Sequence, residues 1–582
     1  MSDNAAVAAL LDEMADRLEA RDVEYKPNVY RRAADSIRGH TVAVERLYEK
    51  GGAEALMEIE DVGEAIAAKT AEFVETGAIE ELETLREEMP VEMDALTAVE
   101  GVGPKTVAAL YDALGVETLD DLEAAAEAGE IRDIKGFGEK TEANIVENIP
   151  FAREARKRSL LGDARPVADR LVAFFEAHDA ADSVETAGSI RRWRPTIGDI
   201  DLLVGSDDHE AVIAAFEGWD EADSVIEAGA NKASVRTSGM RVDLRTVVPE
   251  EFGAALQYFT GSKDHNVAVR NRAIEMGLKV NEYGVFDVSE IDDPEAGQRV
   301  GTRIAGETEA GVYEALGLAL MPPEMRENRG EIERAAENDL PELVAEGDIR
   351  GDLHVHTVAS DGTATIEEMA AAAAEHGYDY LAISDHATGP GMVGGVGLDD
   401  EELLEHAAAV RAVDSGASID LLAGVEANIG ADGGISVGDD VLRELDCVVA
   451  SPHSGLDGDG TERLISAIEH PEVDVIGHPT GRLLNQRPGH DVDIERVARA
   501  AAEHETALEV NADPRRLDLR SSYVKVATEA GATIAINTDA HAANTLEHMR
   551  FGVHTARRGW AETADVLNCR DAEGLRAFLD LR

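Results

Sequence analysis

The sequence predicts a multidomain chain: an α-helical N-terminal region, a mixed α+β unit in the middle, and a β/α barrel at the C-terminal end. Three observations predict it. A short glycine-hairpin motif recurs three times before residue 150, an Asp-x-Asp pair lies in an apolar run near residue 200, and six His/Asp/Glu clusters close apolar runs after residue 350. With 582 residues, 44% of them hydrophobic, the chain can build several real cores.

The N-terminal helices come first. Ile59–Ala67 reads IEDVGEAIA, Val99–Ala108 reads VEGVGPKTVA and Ile134–Ile145 reads IKGFGEKTEANI. Each has an apolar residue, a tight turn with glycine and then a helix start. Such a turn lets backbone approach a phosphate closely, with the N–H groups of the following helix aimed at it. Gly63, Gly101, Gly103, Gly136 and Gly138 are therefore candidate DNA contacts of helix-hairpin-helix type, gripping the sugar-phosphate backbone without reading sequence. The first copy departs from the others, with Asp61 where the later copies have glycine, and a carboxylate beside a phosphate is unfavourable unless a cation intervenes. Gly103-Pro104-Lys105-Thr106 is not a P-loop, because proline interrupts the required Gly-Lys-Thr. Arg153, Arg156, Lys157 and Arg158 form a basic knot read as lining a nucleic-acid channel.

Gly188–Val204, GSIRRWRPTIGDIDLLV, opens the central unit. IDLLV reads as a buried strand, and the alternation along a strand points Asp199 and Asp201 to one side, where they can share metal ions. Gly188 and Ser189 followed by arginines supply close backbone approach, a hydroxyl and positive charge for phosphates. Met240–Val248 reads as another strand, and Asp243 inside it is costly unless paired or metal-bound, which makes it a third carboxylate. Three carboxylates, waters and substrate phosphates complete the octahedron that Mg²⁺ or Mn²⁺ needs.

The composition adds a constraint. The net charge is −64, from 118 acidic against 54 basic residues spread along the whole chain. That pattern fits a surface built for multimolar salt, where the Debye length falls to about 3 Å and self-repulsion is screened; a halophilic source is expected. Two cysteines exclude a disulfide scaffold. The opening MSDNAAVAALLDEMADRL has no basic segment or long apolar core, so no signal peptide is read, and no apolar run is long enough to span a bilayer. A cytoplasmic protein, acting as a monomer with no membrane partner, is expected.

The segment Pro322–Arg350 is Glu-rich and Pro-punctuated and reads as a linker with short helices. After it, histidines cluster at the ends of apolar runs: His354, His356 and Asp361, then His386, Glu426, His453, His478, and Asp539 with His541. Ala/Glu/Leu helical stretches alternate with these runs, as in a β/α barrel, whose sites sit at the C-terminal ends of strands. Mixed imidazole and carboxylate donors suit Zn²⁺, Mn²⁺ or Fe²⁺ rather than Mg²⁺ alone. Arg482 and Arg515 are candidate phosphate contacts.

Gly188-Ser189-x-Arg191-Arg192, Asp199-x-Asp201, Asp243, Tyr258-Phe259-Thr260-Gly261-Ser262, Asn266, Arg270 and Asn281-Glu282-Tyr283 together resemble the nucleotidyltransferase core of family X DNA polymerases. The histidine clusters resemble the polymerase and histidinol phosphatase (PHP) domain, with every position of a three-metal site filled. The first resemblance implies that Asp199 and Asp201 hold both Mg²⁺ or Mn²⁺ ions and Asp243 one of them. Gly188, Ser189, Arg192 and Gly261 would then surround the triphosphate, Tyr258 and Phe259 pack on the sugar, and Asn266 and Arg270 meet the nascent pair and template. Lys263-Asp264 departs from the family pattern, which has a small or acidic residue after the serine. Lys69, on the helix after the first hairpin, stands where this family can carry a Schiff-base nucleophile for a 5′-deoxyribose phosphate lyase step, with Lys26 binding the terminal phosphate.

The resemblances imply a helical lyase-like domain over 1–90, a fingers-like hairpin region over 91–150, a palm over 151–250, a thumb over 251–325, a linker over 326–349 and a distorted TIM-like PHP barrel over 350–582. The implied function is gap-filling DNA polymerisation in base excision repair, on gapped or primed DNA with deoxynucleoside triphosphates, coupled to a 3′–5′ exonuclease. The alternatives are a PHP domain acting as abasic endonuclease or 3′-phosphatase, one half serving only as a DNA-binding scaffold, or a small-molecule nucleotidyltransferase, which would need no hairpins.

Overall fold

A computed structural model describes residues 4–579 except 24, 39–43, 58, 60, 100, 156–157, 295, 390–395 and 414–418. Arg156 and Lys157 of the basic knot lie outside the described residues.

The first helices, Asn4–Ala20 to Glu80–Glu88, close one core around Leu11, Met14, Ile37, Ile66 and Leu82. A second core around Leu96, Val107, Leu110, Leu122 and Ile145 belongs to the helices between Met93 and Ala155. Pro104 starts its helix at a position where a missing N–H costs nothing, and Thr118 and Asp121 cap the next helix reciprocally.

Five strands form the central mixed sheet, in the order Ser183–Thr186, Ile200–Gly205, Met240–Val247, Lys232–Thr237, Ser224–Ala228. Only Ile200–Gly205 and Met240–Val247 run parallel, and their register sets Asp201 directly beside Asp243. Along the first of these strands Ile200, Leu202 and Val204 face the helix Leu161–Glu176, burying a core with Phe175 and Phe216. The next unit packs the helices Phe252–Thr260, Lys263–Glu275 and Glu309–Ala315 on a three-stranded antiparallel sheet. The Glu-rich segment that follows holds the short helix Glu331–Glu337, and it is packed: Arg326 and Glu331 are fully buried.

Seven parallel strands, Gly351–Val355, Tyr380–Ile383, Asp420–Asn428, Cys447–Ser451, Val475–Ile476, Ala507–Asn511 and Ile534–Asn537, pair in sequence order. The seventh comes back to the first, with a bridge between Val355 and Ala540 and an N–H bond from His356 to the Ala540 carbonyl of 2.8 Å. The result is a nearly closed barrel. Period-two alternation sorts each strand. On the third, Leu422 packs inward with Cys447, Val475 and Ala507, closed off by Leu567 and Leu575, whereas Ala423 and Val425 pack outward under the helices. Glu426, two steps past Gly424 on the inward face, is thereby carried to the barrel mouth. Among the described residues no helix is long and apolar enough to cross a membrane.

Candidate active sites

In the sheet site, Asp199, Asp201 and Asp243 each offer an oxygen within 4.8 Å of the others. Asp199 sits just before the strand and Asp201 is its second residue. A glycine is required at 188: its φ is +59°, and a Cβ there would lie 1.9 Å from Asp201 Oδ2. The short helix Gly188–Arg191 is thus pressed against the carboxylates. Burial first, then the charges of Asp199 and Asp243, push the Asp201 carboxyl up to about 7. Three acids this close, with one retaining its proton near neutrality, are what a divalent cation would relieve. Arg241 Nε meets Asp243 at 2.7 Å from outside the trio.

Metal uptake there displaces the Asp201 proton, so apparent Mn²⁺ affinity is expected to rise with pH up to about 7 and to level off above it. Calorimetric Mn²⁺ titrations of the wild type and of Asp201→Asn, each in two buffers of different ionisation enthalpy, check this. The wild type is expected to release more protons than Asp201→Asn at pH 6.5 and about as many at pH 8.5.

Around the trio, Arg192 donates Nη1 to the Thr260 carbonyl and Nε to Glu327 at 3.2 Å. Arg191 is committed elsewhere, bidentate to Glu309 at 2.8 and 2.9 Å. Tyr258 and Phe259 end their helix with rings edge to face 5.2 Å apart, and Tyr258 is 43% exposed. Phe259 also stacks under Arg245. Asn266 bonds the Tyr258 carbonyl at 2.7 Å, which ties the two helices, and Arg270 is exposed on the second. Ser189 is part-buried in the helix beside Asp201, and Gly261 lies within reach of the Arg192 guanidinium.

At the barrel mouth the structure brings all nine ligand candidates together. His356, Asp361, His386 and His541 form one group, His354, His356 and Glu426 a second, and His386, Glu426 and His453 a third. Asp539 lies 3.1 Å from His356 Nε2, and His478 Nε2 is 3.0 Å from Glu426. His354 Nε2, both His356 ring nitrogens, His386 Nδ1 and Glu426 Oε2 are buried and crowd one another without well-formed hydrogen bonds, His386 Nδ1 facing Glu426 Oε2 at 2.6 Å and His356 Nε2 facing Asp539 at 3.1 Å. Buried polar atoms are ordinarily satisfied, so imidazole and carboxylate atoms left facing one another in this way fit metal ligation. Burial and the neighbouring His541 and His386 push His356 down to about 4, so it is a neutral donor.

Neighbouring acceptors orient two of the rings. Glu509 accepts from His354 Nδ1 at 2.7 Å, from the His478 N–H at 2.6 Å and from Asn537 at 3.0 Å. Asn428 Oδ1 sits 2.6 Å from His453 Nδ1. Holding one ring nitrogen fixes the other toward the metal. Sequence reasoning missed Glu509, although the signal that found Asp243, an acid inside an apolar run, is present in Ala507–Asn511. It also missed Arg516, which lines the 320 Å³ cavity at the cluster together with Arg515. Arg482 does not reach it. It is buried and donates to the Arg516 and Leu517 carbonyls, so the phosphate-binding expectation is corrected to one of holding that loop.

In the N-terminal region Gly101 and Gly136 adopt φ of +83° and +98°, and Asp61 takes the same left-handed conformation at +56° with Arg32 3.6 Å away. No atom lies within 4 Å of a Cβ built at Gly63, Gly103, Gly136 or Gly138, so those turns are open to a ligand backbone. The two described arginines of the basic knot are otherwise occupied: Arg153 pairs with Asp120 and Glu123 at 2.5 and 2.7 Å, and Arg158 bonds Thr196. Lys26 is exposed at a helix start, while nearby Arg31 is paired with Asp16 and Glu19.

Lys69 is 3.0 Å from Glu81. Burial pulls its pKa down, but Glu81 and the Tyr30 hydroxyl outweigh that and leave it raised. A Schiff-base nucleophile needs the opposite. Borohydride trapping on an abasic substrate is therefore expected to be weak at pH 7, to grow with pH, and to increase severalfold in Glu81→Gln; trapping insensitive to Glu81 would remove Lys69 from consideration.

Fold and sites together define a protein with a nucleotidyltransferase-type palm and thumb joined to a metal-ligating barrel of PHP type. Comparison supports the hairpin regions, the thumb and the barrel. Residues 2–79 match the helix-hairpin-helix domain, 93–149 the SAM-like helix-hairpin-helix tandem, 255–327 the DNA polymerase beta thumb and 352–513 the PHP domain. The chain is 35% identical over 581 residues to the DNA polymerase/3′-5′ exonuclease PolX of Bacillus subtilis, covering 98% of both chains. Probable phosphatases of Shewanella sp. strain MR-4 and Caldanaerobacter subterraneus are each 34% identical, over 34% and 33% of this chain and 77% and 75% of their own. The chain belongs to the PolX family.

Proposed function

We propose that the protein fills gaps in DNA during base excision repair and trims 3′ ends with its barrel. The observation that carries this reading is that one chain closes two separate metal-ligand constellations, three carboxylates beside Gly188 and nine imidazole and carboxylate residues at the barrel mouth.

In the palm, Asp199, Asp201 and Asp243 hold Mg²⁺ or Mn²⁺. Ser189 and Arg192, with the backbone of Gly188 and Gly261, bind the triphosphate, Tyr258 and Phe259 pack on the sugar, and Asn266 and Arg270 position the pair and template. In the barrel, His354, His356, Asp361, His386, Glu426, His453, His478, Asp539 and His541 hold three ions drawn from Mn²⁺, Zn²⁺ and Fe²⁺. Bound metals lower the pKa of the attacking oxygen and neutralise charge on the phosphoryl group. Arg515 and Arg516 stand at the rim, where a DNA phosphate would enter. The hairpin turns at Gly63, Gly101, Gly103, Gly136 and Gly138 grip the DNA backbone, and the protein acts as a cytoplasmic monomer.

The test is product analysis on 5′-end-labelled gapped DNA with Mn²⁺, with and without nucleotides, at several potassium concentrations. Extension to the gap's end with nucleotides and stepwise shortening without them are expected. Release of phosphate from a 3′-phosphate end with no shortening would replace exonuclease by phosphatase, an outcome that the arginines at the cavity rim also accommodate.

A further inference from the structure

The nucleotide segment of the palm is held from the far side by the C-terminal domain. The helix Met549–Arg558 packs against Arg192–Arg194, and Phe551 and Leu517 enter the palm core. Trp193, at φ +52°, stacks flat on His554 with ring centroids 3.5 Å apart and planes 3° from parallel. Arg550 and Arg165 lie over the same indole at 5.3 and 4.6 Å. His554 in turn meets Glu324 at 2.7 Å, and Arg557 meets the same carboxylate at 2.7 Å. A non-glycine residue in the left-handed region is held there by its surroundings.

Next to this stack lies a shared carboxylate. Glu327 Oε1 accepts from Arg192 Nε at 3.2 Å and from Arg558 Nη2 at 3.0 Å, with Arg194 Nη1 at 3.5 Å. Arg558, only 4% exposed, also donates Nη1 to the Arg192 carbonyl. One carboxylate thus answers three guanidinium groups, and the excess positive charge lies beside Gly261 and the carboxylate trio. A part-buried carboxylate that lost one of these partners would bind the remaining ones more tightly.

We propose that Arg558 is a positioning residue for the nucleotide site: it neutralises Glu327 and tethers the Arg192 backbone, so that the Arg192 guanidinium is available to the triphosphate of an incoming nucleotide. The inference rests on the assignment of Arg192 to triphosphate binding made above. It makes the barrel domain a structural part of the polymerase site, independent of the barrel's own metal chemistry.

The test uses the full chain on single-nucleotide-gapped DNA, reading kcat and nucleotide KM for incorporation and, from the same preparation, the 3′–5′ digestion rate. Arg558→Met is expected to raise KM roughly tenfold, equivalent to about 1.4 kcal/mol, with kcat and digestion within about twofold. Adding Glu327→Gln to it is expected to bring KM most of the way back, because the carboxylate that captures Arg192 is gone. A purely structural role would not give that rescue. An unchanged KM in Arg558→Met, absence of rescue, or an equal fall in both activities overturns the proposal. If Arg558→Met does not fold, Arg558→Lys decides, since it keeps the charge but not the paired donors: a threefold or larger KM increase with intact digestion supports the proposal and an unchanged KM rejects it. Arg192→Ala separates the two assignments. If it leaves KM unchanged, the nucleotide-site assignment itself has failed; if it raises KM and the Arg558 variants do not, only the present inference has.

Discussion

Asp201→Asn is expected to reduce nucleotide incorporation on gapped DNA by roughly three orders of magnitude, while 3′–5′ digestion by the same preparation stays within about twofold. The amide keeps the shape and removes the charge. Asp201 is the central member of the trio, in register with Asp243 and touching the Gly188 backbone, so nothing nearby can replace its oxygen. The same variant reports on stability with a definite sign. Because the folded-state pKa of Asp201 is raised to about 7, the folded protein holds that proton more tightly than the unfolded chain does, and stability is given up as pH rises from about 4 to 7. In chelator, Asp201→Asn is therefore expected to melt above the wild type at pH 8, with the difference gone near pH 4. Full incorporation by Asp201→Asn would show that the trio is not the polymerising site.

Glu426→Gln carries the second large effect. Glu426 is fully buried, with Oε1 at 3.4, 3.3 and 3.0 Å from His354, His453 and His478 and Oε2 at 2.6 Å from His386. It bridges two of the three ligand groups. Losing its charge is expected to lower 3′–5′ digestion by roughly a thousandfold or more, leaving gap filling within about twofold. Ligands that bind only the folded state raise its melting temperature by mass action, so the rise produced by Mn²⁺ in the wild type is expected to shrink in the variant. Digestion at the wild-type rate would move the nuclease away from the barrel mouth. Asp201→Asn and Glu426→Gln act on opposite activities, so each serves as the folding control for the other.

Much of the candidate chemistry was legible because it is local. Asp199-x-Asp201 is a two-residue spacing at the start of an apolar run, and only Asp201 proved to lie in the strand, with Asp199 in the bend that leads into it. The histidines announced themselves for a similar reason, since each cluster ends an apolar run, and the ends of parallel strands converge in a barrel. The hairpin glycines were equally visible, whereas the Arg32 that approaches Asp61 to 3.6 Å was not. What stayed hidden involved partners distant in sequence. Glu509 contacts His354 across 155 positions, and Arg482 donates to carbonyls on a loop 34 and 35 residues away, which sequence spacing does not disclose. Charges were the hardest to assign. Arg153 reads as a DNA contact in isolation and is neutralised by Asp120 and Glu123 once folded; Lys69 reads as a nucleophile and is held protonated by Glu81.

By itself, then, the sequence determined which residue types stand at which strand ends and helix starts, and with them the two kinds of metal-ligand set. Tertiary structure decided how those sets are surrounded: the register that brings Asp243 to Asp201, the Glu509 and Asn428 contacts that orient the His354 and His453 rings, and the junction where Arg558 reaches Arg192 from 366 residues away. Periodicity is a property of neighbouring residues and survives in one dimension. Register, burial and ion-pair partnership depend on long-range packing, which one dimension does not encode.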